Sequence, residues 1–324
     1  MLYNKNMKFT LIVPFCNSKP YFAACLDSLL AQTYLEKHRK DVEIILVNNN
    51  SADGTAKNAA DYVKKNKDLM RLIVCKPWGA AAARNHGIRE AKGEYYWCID
   101  SDDWIEPNSL EKIAEELKKH KTAPDFLTIG AVRDFDEGMK HLGRVDIPAI
   151  GKGQKNWQKR FIMYGYGPWA YVARRQFILD NNLFFDEGMI HEDMALISSF
   201  VLYTEEIYPL DGTLYHYVQH AKSVLHRSEW NPHALDIFPA LEKIYARFEA
   251  KNLPYADALE YFFIWNLLID TVRNFKHFSE GRAHTKDIRR MLRKYFPHWR
   301  KNPTLRSKSL TLRLRLRVAY WLGK

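Results

Sequence analysis

The chain has 324 residues, 47% apolar and 14% aromatic, the make-up of a globular protein with one large domain plus additions, or two domains. No stretch reaches the roughly 18 uninterrupted apolar residues of a membrane-spanning helix, and residues 1–15 lack the charged, apolar and small-residue order of a signal peptide. The net charge of +11 sits in the tail, where residues 281–324 hold fourteen Lys/Arg and one acid, Asp287, against 35 basic and 37 acidic residues before them.

Residues 8–15 (KFTLIVPF) form a continuous apolar run and read as a buried parallel strand. Phe22, Cys25, Leu26, Leu29 and Leu30 then recur at helical spacing behind Pro20, which suits a first turn. Residues 42–55 (VEIILVNNNSADGT) are a second strand ending in a polar turn, 55–67 a helix and 69–76 a third strand. An Ala-rich helix over 79–93 stops at Gly93, and 94–100 (EYYWCID) is a fourth strand. A helix over 109–121 and a fifth strand over 125–130 follow. Apolar strands alternating with helices mean an α/β fold, an open, mostly parallel sheet covered on both faces. Ligands of such sheets bind beyond the carboxyl ends of the strands, so the polar turn at 48–53 and the acidic turn at 100–103 line one crevice. From 131 the pattern loosens. Residues 133–155 read as a loop or hairpin, a helix opens at Glu192–Asp193, and the chain is helical from Pro232. The four cysteines, Cys16, Cys25, Cys75 and Cys98, lack CxxC spacing and read as buried, reduced thiols, which suits the cytosol.

Asp100, Asp102 and Asp103 crowd the end of the fourth strand. A single Asp there would serve as a helix cap, and three exceed that need. A divalent cation is the usual reason to gather carboxylates. Glu192–Asp193 has a plain reading as acids favoured by a helix N-terminus.

With these segments in view, the chain resembles the family-two glycosyltransferases of the GT-A fold. The resemblance rests on LIVPFCNSKPYFAACLDSLLAQTY, VEIILVNNNSADGT, GAAAARNHGIREAKGEYYWCIDSDDW, PWAYVARRQFILDNNLFFDEGMIHEDMAL and YPLDGTLYHYVQHAKSV, in the family's order across residues 8–225. It implies transfer of a sugar from a nucleotide-sugar to an acceptor hydroxyl, usually with inversion. Residues 1–130 would then be the nucleotide-sugar-binding half of the GT-A domain, 131–230 its acceptor-binding half, and 231–324 a helical C-terminal region with a basic tail.

The resemblance also implies roles. Asp102 would coordinate Mn²⁺ or Mg²⁺ directly, with Asp103 and His226 in the metal set and Asp100 and Ser101 on the nucleotide side. Pro14, Phe15 and Asn17 would line the base pocket, where an aromatic ring stacks on the base. Asn48, with Asn49, Asn50 and Asp53, ends the second strand and would meet a uracil, although relatives commonly carry Asp at that position; an amide oxygen still accepts the bond, but the amide also donates, and a polar Asx turn is the alternative. Arg84 would reach ribose or phosphate, with Asn85 beside it. Asp193 would be the base, Glu192 its partner and His191 a positioning residue. Trp169 is either a platform for a sugar ring or core. Tyr215, His216, His220, Lys222, Ser223, His226 and Arg227 fall where related enzymes have a loop that closes over the diphosphate, and His220 or His226 would join the metal set.

The tail adds a partner. In residues 284–296 Ile288, Met291, Leu292 and Tyr295 recur at helical spacing with Lys and Arg on the other faces, the make-up of a helix lying in a membrane interface. Residues 309–322 alternate Leu and Arg, which suits a strand better than a helix. An anionic membrane, core packing and a nucleic acid are the three readings; the body offers no nucleic-acid fold, which favours the membrane. The expected enzyme is therefore cytoplasmic, peripheral on the cytoplasmic face, and uses a UDP-linked donor and a glycan or lipid-linked acceptor in surface polysaccharide or lipooligosaccharide synthesis. The rivals are a sugar-nucleotide pyrophosphorylase, which would want a Gly- and Lys-rich loop after the first strand where this chain has PFCNSKPY, and a silent polyanion-binding scaffold.

Overall fold

Four apolar runs become parallel strands: β1 (Phe9–Phe15), β2 (Val42–Asn48), β3 (Met70–Val74) and β4 (Tyr95–Cys98). β1 lies between β2 and β4, and β3 flanks β2. The structure is a computed structural model that describes residues 7–135, 145–164, 167–219 and 230–322. The remaining strands are β5 (Trp104–Ile105), β6 (Phe126–Phe135), β7 (Val145–Ile147), β8 (Tyr171–Arg174) and β9 (Ile207–Gln219). The sheet runs β3-β2-β1-β4-β8-β6-β9-β5, with β7 on β6. The first half is parallel, as expected. The second half is mixed, because β8 enters antiparallel between β4 and β6. Residue 130 lies inside β6, so one sheet serves both halves.

Each strand residue takes the face opposite to its neighbours. Leu11, Val13 and Phe15 pack with Phe22, Leu26 and Ile113 on one face, while Ile12 and Ile45 join a core on the other. The helix Ala80–Glu90 lies close on that second face: a side chain at Gly87 would collide with Ile12. This close seat sends Arg84 towards the carboxyl end of β4.

The C-terminal region corrects two expectations. The helix Thr285–Tyr295 does not offer its apolar face to a membrane, because Ile288, Met291 and Leu292 are buried in the same core as Ile12. Residues Leu310–Leu322 form a helix, not a strand. Neighbours two apart sit about 200° round a helix, so alternation splits the apolar residues into two stripes. Leu316 and Tyr320 are buried, while Leu310, Leu314 and Val318 are 63%, 48% and 56% exposed. Among the described residues no helix is long and apolar enough to cross a membrane. Three cysteines are buried and free; Cys16, expected to be buried, is exposed in the turn after β1.

If the tail is part of the core, Leu292→Ala destabilises the whole chain. The expected loss is about 2–5 kcal/mol, the scale for a buried Leu, read as a lower urea midpoint. A midpoint unchanged from wild type would mean the tail hangs apart.

Candidate active site

The acidic turn follows β4 and the acidic pair opens the helix Glu192–Ile197. Arg84 joins them. Its Nη2 donates to Asp100 Oδ1 at 2.8 Å and its Nη1 to Glu192 Oε1 at 2.8 Å. Burial alone would lower the Arg84 pKa, but the two carboxylates override it and hold the guanidinium firmly charged. Arg84 was expected to reach ribose or phosphate; its two terminal nitrogens are instead bonded to these carboxylates. Asn85 takes a structural role, with Nδ2 donating to Phe185 O and Glu187 Oε1 and Oδ1 accepting from Phe185 N.

Arg84, Asp100, Glu192, Asp193 and Trp169 line one cavity of about 620 Å³. Burial raises the Glu192 carboxyl pKa while Arg84 opposes the rise. Burial likewise raises Asp193, against Arg84 and with Asp100. A carboxylate lifted in this way is a better proton acceptor at neutral pH. His191, which caps the helix at φ +68°, is pushed down by burial and so favours its neutral form. Trp169 is core at most of its surface. Its ring stacks on Tyr215 at 4.9 Å and Tyr217 at 5.4 Å, and its carbonyl accepts from Trp97 Nε1.

The other expected residues that the structure describes lie outside that cavity wall. Asp103 is 1% exposed, and its oxygens accept from Tyr215 Oη and from Val218 N at 2.8 Å. Burial, with Asp100 and Asp102 nearby, pushes its carboxyl well above the usual range. Asp103 is thus a strut under the turn rather than a metal ligand. Tyr215 Oη also accepts from Asp100 N at 3.1 Å. That tyrosine, expected in a loop over the diphosphate, lies instead in β9 and fixes the turn from 115 residues away in sequence. Asp102 is partly exposed beside Asp100, which gives one oxygen to Arg84. No group of three metal-capable His, Cys, Asp or Glu side chains gathers among the described residues. Two carboxylates still match a Mg²⁺ or Mn²⁺ whose remaining ligands are phosphate oxygens and water. His226 and His220 lie outside the described residues.

The loops over the sheet are tied to one another. Asn17, at φ +53°, accepts from Ala52 N through Oδ1 and takes Ser51 Oγ on its own N–H. Asn48 Oδ1 accepts from Ser51 N at 3.1 Å. Asn49, read with Asn48 as part of the polar end of β2, donates to Cys75 O and Pro77 O and accepts from Gly79 N, holding the start of the Arg84 helix. Slight burial would raise the Asp53 pKa, but bonds from Thr55 and Lys19 N outweigh it and lower it. Ser101 Oγ pairs with Ser18 Oγ at 2.6 Å. Pro14 is buried within β1. Phe15 is 2% exposed and packs on Phe22 with ring centroids 4.8 Å apart, so it is core and not a platform for a base.

Residues 10–203 match the family model of glycosyl transferase family 2. The uncharacterized glycosyltransferase EpsJ of Bacillus subtilis is 31% identical over 224 residues, 66% of this chain and 62% of its own. The poly(ribitol-phosphate) beta-glucosyltransferase of Bacillus spizizenii is 36% identical over 131 residues, 40% of this chain and 20% of its own. This chain therefore spans less than two thirds of either relative. The structure of S. aureus TarS 1–349 in complex with UDP-GlcNAc superposes with a TM-score of 0.73 at 20% identity, over 98% of this chain and 88% of that one, a likeness of fold. The match over residues 10–203 covers more than half of the sequence, and the chain belongs to glycosyl transferase family 2.

Proposed function

We propose that the protein is an inverting, metal-dependent glycosyltransferase of bacterial surface polysaccharide or lipooligosaccharide synthesis. Its donor is a nucleotide-sugar, UDP-linked, and its acceptor a hydroxyl of a glycan or lipid-linked glycan. The observation that carries the reading is a base-competent carboxylate, Asp193, on the wall of an open cavity that also reaches the acidic turn. The TarS complex with UDP-GlcNAc, on the same fold, supports the choice of donor, and the poly(ribitol-phosphate) relative supports a surface polymer.

In this mechanism the acceptor hydroxyl enters the cavity against Asp193. Its oxygen bonds to the anomeric carbon from the face opposite the diphosphate. The bond from that carbon to the phosphate oxygen breaks, and its electron pair leaves on the nucleoside diphosphate. The hydroxyl proton passes to Asp193. Glu192 is held by Arg84 and orients the acceptor. Asp102, with Asp100, would hold a Mn²⁺ or Mg²⁺, which would supply positive charge against the departing diphosphate. Asn48 sits at the end of β2, where the nucleotide of a doubly wound sheet lies.

Asp193→Asn keeps the size and removes the basicity. Transfer should fall at least about a hundredfold, the scale of a lost general base, with donor binding retained. In the wild type, the base must be charged and its pKa is raised. Activity is therefore lost as pH falls through a value above the ordinary aspartate range, and the acid limb of kcat/KM lies there. Excess chelator should stop the wild type, and Mn²⁺ or Mg²⁺ should restore it. A fully active Asp193→Asn, or full turnover in chelator, would refute the corresponding role.

We also place the enzyme on the cytoplasmic face of a membrane, through a different surface from the helix first expected. Leu310, Leu314 and Val318 form an exposed stripe one turn apart, with Arg315 and Arg317 exposed between them. Apolar residues enter the interface, and each nearby basic residue adds about 1 kcal/mol with anionic lipid. The full chain should sediment with phosphatidylglycerol vesicles at low salt, release at high salt, and bind them weakly once all three stripe residues are Gln. Equal binding to phosphatidylcholine vesicles, or none to either, would reject this surface.

A further inference from the structure

We infer that the acceptor is anionic, carrying a phosphate or carboxylate beside the hydroxyl that receives the sugar, and that Arg133 and Arg160 select it. The inference rests on the transferase reading and names the substrate class of its acceptor cavity. Both arginines line the cavity together with Asp193. They come from separate elements, Arg133 from β6 and Arg160 from the helix Trp157–Tyr164. The third arginine on the wall, Arg84, is bonded to Asp100 and Glu192. Arg133 and Arg160 have no carboxylate partner among the described residues. Arg133 lies 5.9 Å from the Tyr217 ring centroid, and Arg160 donates to Gln154 Oε1 at 3.3 Å. Asp146, on the same wall, has a contact of its own.

A neutral sugar needs hydroxyl partners and stacking surfaces, not two guanidinium groups. A phosphate or carboxylate takes a guanidinium bidentately, and such charge-assisted bonds are stronger than neutral ones. The two arginines also offset the repulsion an anion meets from Asp193 and Glu192. A cavity of about 620 Å³ holds the reacting unit and its charged neighbour together.

The test is calorimetric titration of the full chain with three oligomers of equal length: a polyol phosphate, a uronic acid and a neutral glycan. At least one anionic oligomer should bind about tenfold tighter than the neutral one, the scale of one added charge-assisted bond, and the better of the two tells phosphate from carboxylate. Arg133→Gln with Arg160→Gln should bring the ratio to about one, and Arg133→Lys with Arg160→Lys, which keeps the charge, should retain part of it. Equal binding of all three oligomers overturns the inference. So does a preference that survives the Gln pair, which would place the binding on the basic tail. Equal loss in the Lys and Gln pairs overturns it too. Donor is absent from the titration, so these outcomes do not depend on sugar transfer. A chain that releases nucleoside diphosphate with neutral acceptors and shows no anionic preference refutes this inference and leaves the transferase reading intact.

Discussion

The Arg84 guanidinium, buried between Asp100 and Glu192, is the interaction on which the rest of the site depends. It comes from the first half of the fold and closes on the second. Without it two partly buried carboxylates would face each other across the cavity. Glu192 would then lose the cation that opposes the upward push of burial on its carboxyl. With it, Glu192 is fixed and Asp193 is left at the wall. Removing one member of such a buried group commonly costs about 3–5 kcal/mol, because the charge left behind has no partner.

The seat of Arg84 is itself built. Gly87 lets its helix approach β1, and Asn49 holds the first turn of that helix through Gly79 N. Asn85, one residue on, ties the same helix to Phe185 and Glu187. Below the acidic turn Tyr215 bonds both Asp103 and Asp100 N, and it stacks on Trp169. The loops above β1 and β2 are closed by Asn17, Asn48 and Asp53. The polar residues over the sheet thus spend much of their hydrogen-bonding capacity on one another, which holds the crevice in shape before any ligand arrives.

Much of this was legible in the residues. Continuous apolar runs marked β1, β2 and β4, which are buried along nearly their whole length, because strands covered on both faces need no polar alternation. The acidic turn and the Glu192–Asp193 pair were found as clusters at strand and helix ends. What escaped lies at long range or in parity. Phe15 shares the parity of Leu11 and Val13, which already assigned it to the core. The partners Tyr215 and Asp103 are 112 residues apart, and neither predicts the other. Arg133 and Arg160 fell in a stretch read as a loop or just beyond it. The Leu–Arg alternation of the tail suggested a strand, but on a helix it yields two apolar stripes, one facing the core and one facing out.

The most direct measurement of the central claim is a double-mutant cycle in urea with Arg84→Met, Glu192→Gln and the pair. A bonded, buried pair predicts that the double variant is less destabilised than the sum of the singles, by about 1 kcal/mol or more. The reason is that the second substitution removes the charge which the first left unpaired. Additive losses would contradict the account: Arg84 and Glu192 would then act independently, and the two halves of the site would be joined by something else.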